Sequence, residues 1–207
     1  ISPMSIPLIF HIDVSGQPKE EIIVGMASIR SDYLTEFIRH MKKDRPEFLR
    51  HKFKGSNLKS NQIKSYISYL NGKGIRMVSV RFKSAYWSEF KKYLDNKKYW
   101  KERVYASLYF LAVKKYARSG YAYPLVVCKE SYLDIERVKN YLIKIAKAHG
   151  VSFQISDSYA SQNDMIKVAD MVAAAGRKLR GQLTHLDGYE ESFPNPEQLK
   201  FYIEKIK

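Results

Sequence analysis

"PLIFHIDVSGQPKEEIIVGMASIR", Pro7 to Arg30, holds two apolar runs parted by a polar turn. The first run ends in Asp13, Ser15 and Gly16, residues of a chain reversal, and the second begins a few residues later, so the two are expected to pair as antiparallel neighbours. Outward from this hairpin the pattern changes. "SDYLTEFIRHMKK" repeats apolar residues at Leu34, Phe37, Ile38 and Met41, the spacing of a helix opened by a Ser or Asp cap. "NQIKSYISYLNGKG" reads as a second helix that stops at Gly72 and Gly74, and "IRMVSVRF" as a third strand. A long helical region from about Trp87 to Ser119 is expected to break near "DNKKYW". The strand "YPLVVCKES", the helix "YLDIERVKNYLIKIAKAHG", the strand "VSFQISDS" and a closing helix then alternate. An antiparallel start followed by this alternation predicts an α/β fold, a mixed sheet of about five strands flanked by helices.

The 207 residues carry no Pro/Gly/Ser-rich linker and no repeat, so one domain over 1–207 is expected. A helical tail from about 181 to 207 closes it, with Phe201, Ile203 and Ile206 as a small packing face. Charge is the unusual feature: 36 Lys and Arg against 21 Asp and Glu leave a net +15. Such an excess favours polyanionic partners, nucleic acid first and an anionic membrane surface second. The longest apolar run, Val104 to Val113, is ten residues, about half a membrane span, so it is expected to be a core helix of a protein without a membrane span. The start lacks the basic leader, apolar core and cleavage site of a signal peptide. A single cysteine, Cys128, excludes an internal disulfide and a cysteine zinc cluster. The expected location is therefore intracellular, in the cytoplasm. Phosphate cradles of the P-loop or dinucleotide type, a nucleophile elbow and a His-Glu-x-x-His pair are all absent, and the five histidines are scattered.

The closing helix lies within "DSYASQNDMIKVADMVAAAGRKLR", Asp157 to Arg180. Met165, Val168, Ala169, Val172, Gly176 and Leu179 fall on one stripe at helical spacing, and Asp170 sits at its border. Two readings stand side by side: a boundary carboxylate paired with Lys167 or left in water, or a carboxylate aimed at other acids to hold a metal ion. Partners for the second reading exist at strand ends, where open sheets place their sites. Asp13 stands at the end of the first strand, Glu130 just after the fourth and Asp157 at the end of the fifth. Several carboxylates from separate elements are what two hard cations about 4 Å apart need to hydrolyse a phosphodiester. Each acid also has a plainer role. Asp13 with Gly16 fits a type I turn, Glu130 can open the next helix, and Asp157 can cap the turn before the last one. His11 shares a strand face with Asp13, as a proton-transfer group or as a hydrogen-bonded structural histidine.

"HIDVSG", "FKGSNL" and "IKVADMVAAAGRK" resemble, in order and spacing, three landmarks of the domain-of-unknown-function family 3800, over roughly Leu8 to Leu179. That family is regarded as ribonuclease-H-like, within a superfamily of metal-dependent nucleases, resolvases and transposases. The resemblance implies that Asp13 and Asp170 are metal ligands; together with Asp157 and Glu130 as supplements at the strand ends, and with magnesium or manganese as the ion that such oxygen donors prefer, the expected activity is that of a divalent-metal-dependent phosphodiester hydrolase. The resemblance also allows a homodimer. The chain departs from the family pattern at Val14, which replaces a glutamate, at Lys167, which replaces a glutamine, and at Lys52 and Phe53, where an acid usually precedes "KGS". Cys128 stands where the fourth strand often ends in Asp. These changes remove negative charge and motivate an alternative, a nucleic-acid-binding or scaffold module of the same fold that no longer cleaves.

The segment "RHMKKDRPEFLRHKFKGSNLK" is dense in cations and aromatics, which suit phosphates and exposed bases. Arg50, Lys52 and Lys54 are the expected phosphate contacts, joined by Lys167. In "FKKYLDNKKYWKER" the helical spacing of Trp87, Phe90 and Leu94 points instead to core packing.

Overall fold

A computed structural model describes residues 7–50 and 53–207. The first strand, β1 (Leu8–Ser15), pairs antiparallel with β2 (Ile22–Arg30), which pairs antiparallel with β3 (Arg76–Phe82). β4 (Ala122–Cys128) lies parallel to β1, and β5 (Ser152–Ser158) parallel to β4. A sixth strand, β6 (Tyr189–Ser192), adds to β3 in parallel, giving the order β5-β4-β1-β2-β3-β6. β1 and β2 have neighbours on both edges and helices on both faces, which is why their apolar runs are nearly unbroken.

Strand parity sorts the core into two layers. Phe10, Ile12 and Val14 of β1 face the helices α3 (Tyr86–Leu94), α4 (Trp100–Val113) and α5 (Ile135–Ala148). α3 buries Trp87, Phe90 and Leu94, as their spacing predicts. α4 is buried almost all round, the core helix expected of its apolar run. The other face is covered by α1 (Leu34–Asp44), α2 (Ser60–Gly72) and α6 (Asp164–Lys178), whose apolar residues pack with Ala27, Ile29 and Met77. Between α1 and α2 the basic loop holds two short 3-10 turns, Pro46–Leu49 and Gly55–Asn57. Its aromatics turn inward: the Phe48 ring packs 4.6 Å from Phe53 and 5.2 Å from Tyr66. α1 starts one residue after Tyr33 with no side-chain cap; Asp32, one of the two residues expected to cap it, pairs with Arg30 instead.

Helix α6 lies very close to the sheet, and small residues make it so. A Cβ on Gly25 of β2 would come 2.1 Å from the Ala169 carbonyl oxygen and 2.4 Å from the Ala173 nitrogen. A Cβ on Gly176 would come 2.7 Å from the Ser79 Cβ on β3. The alanine and glycine run of α6 thus lets the helix backbone lie almost on the sheet. The stripe expected along α6 widens to nearly its whole circumference, because the sheet lies under it and α2 and the loop turns lie over it.

The tail departs from the all-helical expectation. "GYEESF" forms β6 before α7 (Pro196–Ile203) crosses to pack on α4, on the opposite face of the sheet from α6. Within the expected packing face, Ile203 and Ile206 are buried while Phe201 is 53% exposed; Leu199 and Tyr202 fill the inner positions. Among the described residues no helix is long and apolar enough to cross a membrane.

Candidate metal centre and nucleic-acid face

Asp13 and Gly25 are register partners on β1 and β2. Since α6 closes on Gly25 through Ala169 and Ala173, Asp170, which follows Ala169, is brought within electrostatic reach of Asp13. The 3-10 turn at Gly55 completes the placement: its backbone N–H donates to Asp170 Oδ2 at 2.7 Å. A Cβ at Gly55 would lie 3.0 Å from both the Asp170 carbonyl oxygen and the Ala174 Cβ, so glycine permits this approach. On the other side of β1, β4 ends in Cys128, and Glu130 follows in the connection to α5. One oxygen each from Asp13 and Glu130 and the Cys128 sulfur all lie within 4.8 Å of one another.

The electrostatics are those of acids with no ion-pair partner among the described residues. Asp13 is 6% exposed. Burial first, then the charges of Asp170 and Glu130, push its carboxyl well above the usual carboxylate range. Glu130 is pushed up to about 7, chiefly by burial, with the charge of Asp170 adding to it. Asp170 is raised by burial, against the Gly55 N–H and the Lys54 charge, which favour the ionised form. The Cys128 thiol is held up by burial and by the two neighbouring acids. Basic side chains nearby are committed elsewhere. Lys129 and Lys139 pair with Asp157, Lys167 with Asp164, and Arg177 with Glu21. Buried like charges must either keep protons or share a cation. Three carboxylates and one sulfur are a donor set that fits a divalent ion.

The remaining expected residues are distributed as follows. Asp157 lies in register with Val127, so it faces α5 rather than α6, and its oxygens meet Lys139 at 2.7 Å and Lys129 at 3.2 Å. It is separated from Asp13 by the sheet. Lys167 is 3% exposed; its ammonium donates to the Leu49 carbonyl at 2.9 Å and lies 3.5 Å from Asp164, which ties α6 to the basic loop instead of meeting solvent or Asp170. Arg50 and Lys54 are exposed on that loop, and Lys54 is the cation felt by Asp170 and Glu130. Lys52 lies outside the described residues. Glu130 does not open α5, since Asp134 caps that helix by accepting from the Arg137 N–H at 3.1 Å. Asp157 lies within β5 instead of capping the turn before α6, and Asn163 caps that helix. His11 is buried on the face of Asp13, its pKa lowered to about 4 by burial, and its Nδ1 has no hydrogen-bond partner among the described residues.

Two residues of the site's frame gave no signal in the sequence. Tyr105 and Tyr132 both donate to the Gly16 carbonyl at 3.1 Å, fixing the β1–β2 turn just beyond Asp13. Both lie in segments legible only as apolar or as the start of a helix.

No protein-family model matches the chain, and no curated protein matches it significantly in sequence. In three dimensions it is similar to the ribonuclease H2 of Pyrococcus horikoshii OT3, with a TM-score of 0.53 at 13% sequence identity, over 96% of this chain and 86% of that one. With the strand order and the helix layers, this similarity makes the fold ribonuclease-H-like.

Proposed function

We propose that the protein is a divalent-metal-dependent phosphodiester hydrolase acting on nucleic acid. One observation carries the reading: Asp13, Glu130 and Asp170, buried or half-buried and unpaired with any cation among the described residues, converge at one end of a ribonuclease-H-like sheet in a chain of net charge +15. The resemblance of "HIDVSG", "FKGSNL" and "IKVADMVAAAGRK" to family 3800 points the same way, as does the activity named for the structural neighbour.

Asp13, Glu130 and Asp170 would hold the ion. Magnesium or manganese suits these oxygen donors. A cation bound there supplies Lewis-acid activation of water and neutralises charge on the scissile phosphodiester. The chain's own groups do the rest. Lys54, exposed at the rim and close enough to be felt by Asp170 and Glu130, draws a phosphate toward the acids. The Gly55 N–H holds the Asp170 carboxylate in place. Arg50, next to the turn that Lys167 pins, extends the basic surface along the strand.

The test is cleavage of labelled single-stranded, duplex and hybrid nucleic acids with magnesium, manganese, cobalt or zinc, by wild type and Asp13→Asn. Cleavage is expected to fall by at least about 100-fold, the scale set by losing one charge-stabilising group, while nucleic-acid affinity stays near wild type. A variant that cleaves at full rate removes Asp13 from the reaction.

The second reading is a binding module of this fold that has lost cleavage. It is favoured by Cys128, which puts a thiol where the family pattern has an acid, and by Val14 beside Asp13. It expects salt-dependent binding and no turnover with any divalent ion.

A further inference from the structure

We infer that Cys128 is itself a ligand of the metal, and that it makes the centre select a thiolate-binding transition ion of the zinc and cobalt class over magnesium. The inference rests on the reading of Asp13 and Glu130 as metal ligands. Parity places the thiol among them. Leu125 and Val127 of β4 face the layer of α4 and α5, so Cys128 points to the side of Asp13. Its sulfur shares the 4.8 Å cluster with one oxygen of Asp13 and one of Glu130.

A buried cysteine ordinarily acts as a small hydrophobe. Cys128 is 7% exposed and belongs to neither hydrophobic cluster of the fold. Instead it is faced by two carboxylates, and its contact with the Lys129 carbonyl, 3.7 Å from the sulfur, is long and weak. A cation held among these three side chains would have all of them as co-ligands. Ligation breaks the S–H bond, forms the sulfur–metal bond and releases the proton to solvent. Magnesium demands oxygen ligands and dehydrates reluctantly, whereas zinc and cobalt accept sulfur readily. A site in which sulfur replaces one oxygen donor therefore shifts the order of affinities.

The chain has one cysteine, so a thiolate-to-cobalt charge-transfer absorption can arise from Cys128 alone. Cobalt is titrated into the full chain, followed by near-ultraviolet absorption and by calorimetry, with Cys128→Ser, Cys128→Asp and Asp13→Asn alongside. The band is expected in wild type and absent in Cys128→Ser and Asp13→Asn. Zinc affinity of Cys128→Ser should fall by at least the roughly 10–100-fold that losing even an outer partner costs a metal site, with magnesium affinity close to wild type. Cys128→Asp should bind magnesium more tightly and zinc less. Cobalt bound by calorimetry without the band overturns the role of Cys128 and leaves the carboxylate centre standing. A band that survives in Asp13→Asn overturns the shared site, and no binding of cobalt, manganese or magnesium overturns the carboxylate centre itself.

Discussion

Asp13 accepts one backbone hydrogen bond, from the Val14 N–H at 2.8 Å, and otherwise faces acids and a thiol. Replacing it by Asn puts a permanently neutral group where burial and the neighbouring acids disfavour a charge. Without metal, Asp13→Asn is therefore expected to be more stable than wild type by about 1 kcal/mol, read from denaturant midpoints. Added metal should reverse the order. At 100 times its Kd a ligand stabilises by about 2.7 kcal/mol, about 5–10 °C in Tm for a chain of this length, and Asp13→Asn should show none of this gain. Asp157 is the contrasting acid. Lys139 and Lys129 hold its carboxyl below the usual range, so its contribution to stability is present above the unfolded value of about 3.9. That contribution is lost as pH falls through the lower folded value. Asp157→Ala should cost about 1 kcal/mol at neutral pH and flatten the acid limb of the stability curve, while leaving metal affinity unchanged. A loss of metal binding in Asp157→Ala would contradict its place on the far face of the sheet.

At the scale of elements, the site depends on how closely α6 lies over β2. Gly25→Ala drives a Cβ into the backbone of Ala169 and Ala173, atoms that cannot swing aside. An overpacking cost of about 1–3 kcal/mol is expected, together with weaker metal binding as Asp170 moves off Asp13; unchanged stability would mean the contact is looser than described. Much of this level could be read from the sequence. The hairpin, the break between α3 and α4, the alternation after it and the placement of Asp13 and Asp170 all follow from period and punctuation. β6 did not, because "GYEESF" has no apolar alternation and is paired along one edge only. The grouping of Asp157 with Asp13 failed for a reason the strand itself contains: Phe153, Ile155 and Asp157 share parity, and the first two are apolar. Lys167 misled because a lysine on a helix reads as solvated unless the chain that covers it, here the turn ending at Leu49, is known.

Over the whole molecule, charge is the property composition makes plainest. With net charge +15, binding to nucleic acid is expected to weaken steeply with salt, the logarithmic slope being about 0.9 per duplex phosphate neutralised and about 0.7 per single-strand phosphate. Lys54→Ala should lower that slope by about one unit and weaken binding to all sequences alike, measured by titrations at several salt concentrations. An isotherm insensitive to salt would remove nucleic acid as the partner. The order in which the chain supplies the site adds a constraint of another kind. Asp13 lies on the first strand, Glu130 beyond the middle, and Asp170 on the last long helix, locked by a hydrogen bond to Gly55 that spans 115 residues. Contacts so distant in sequence form late in folding. A partly synthesised chain thus displays its basic loop before it owns the full set of acids, and so can meet a polyanion before it can assemble the centre.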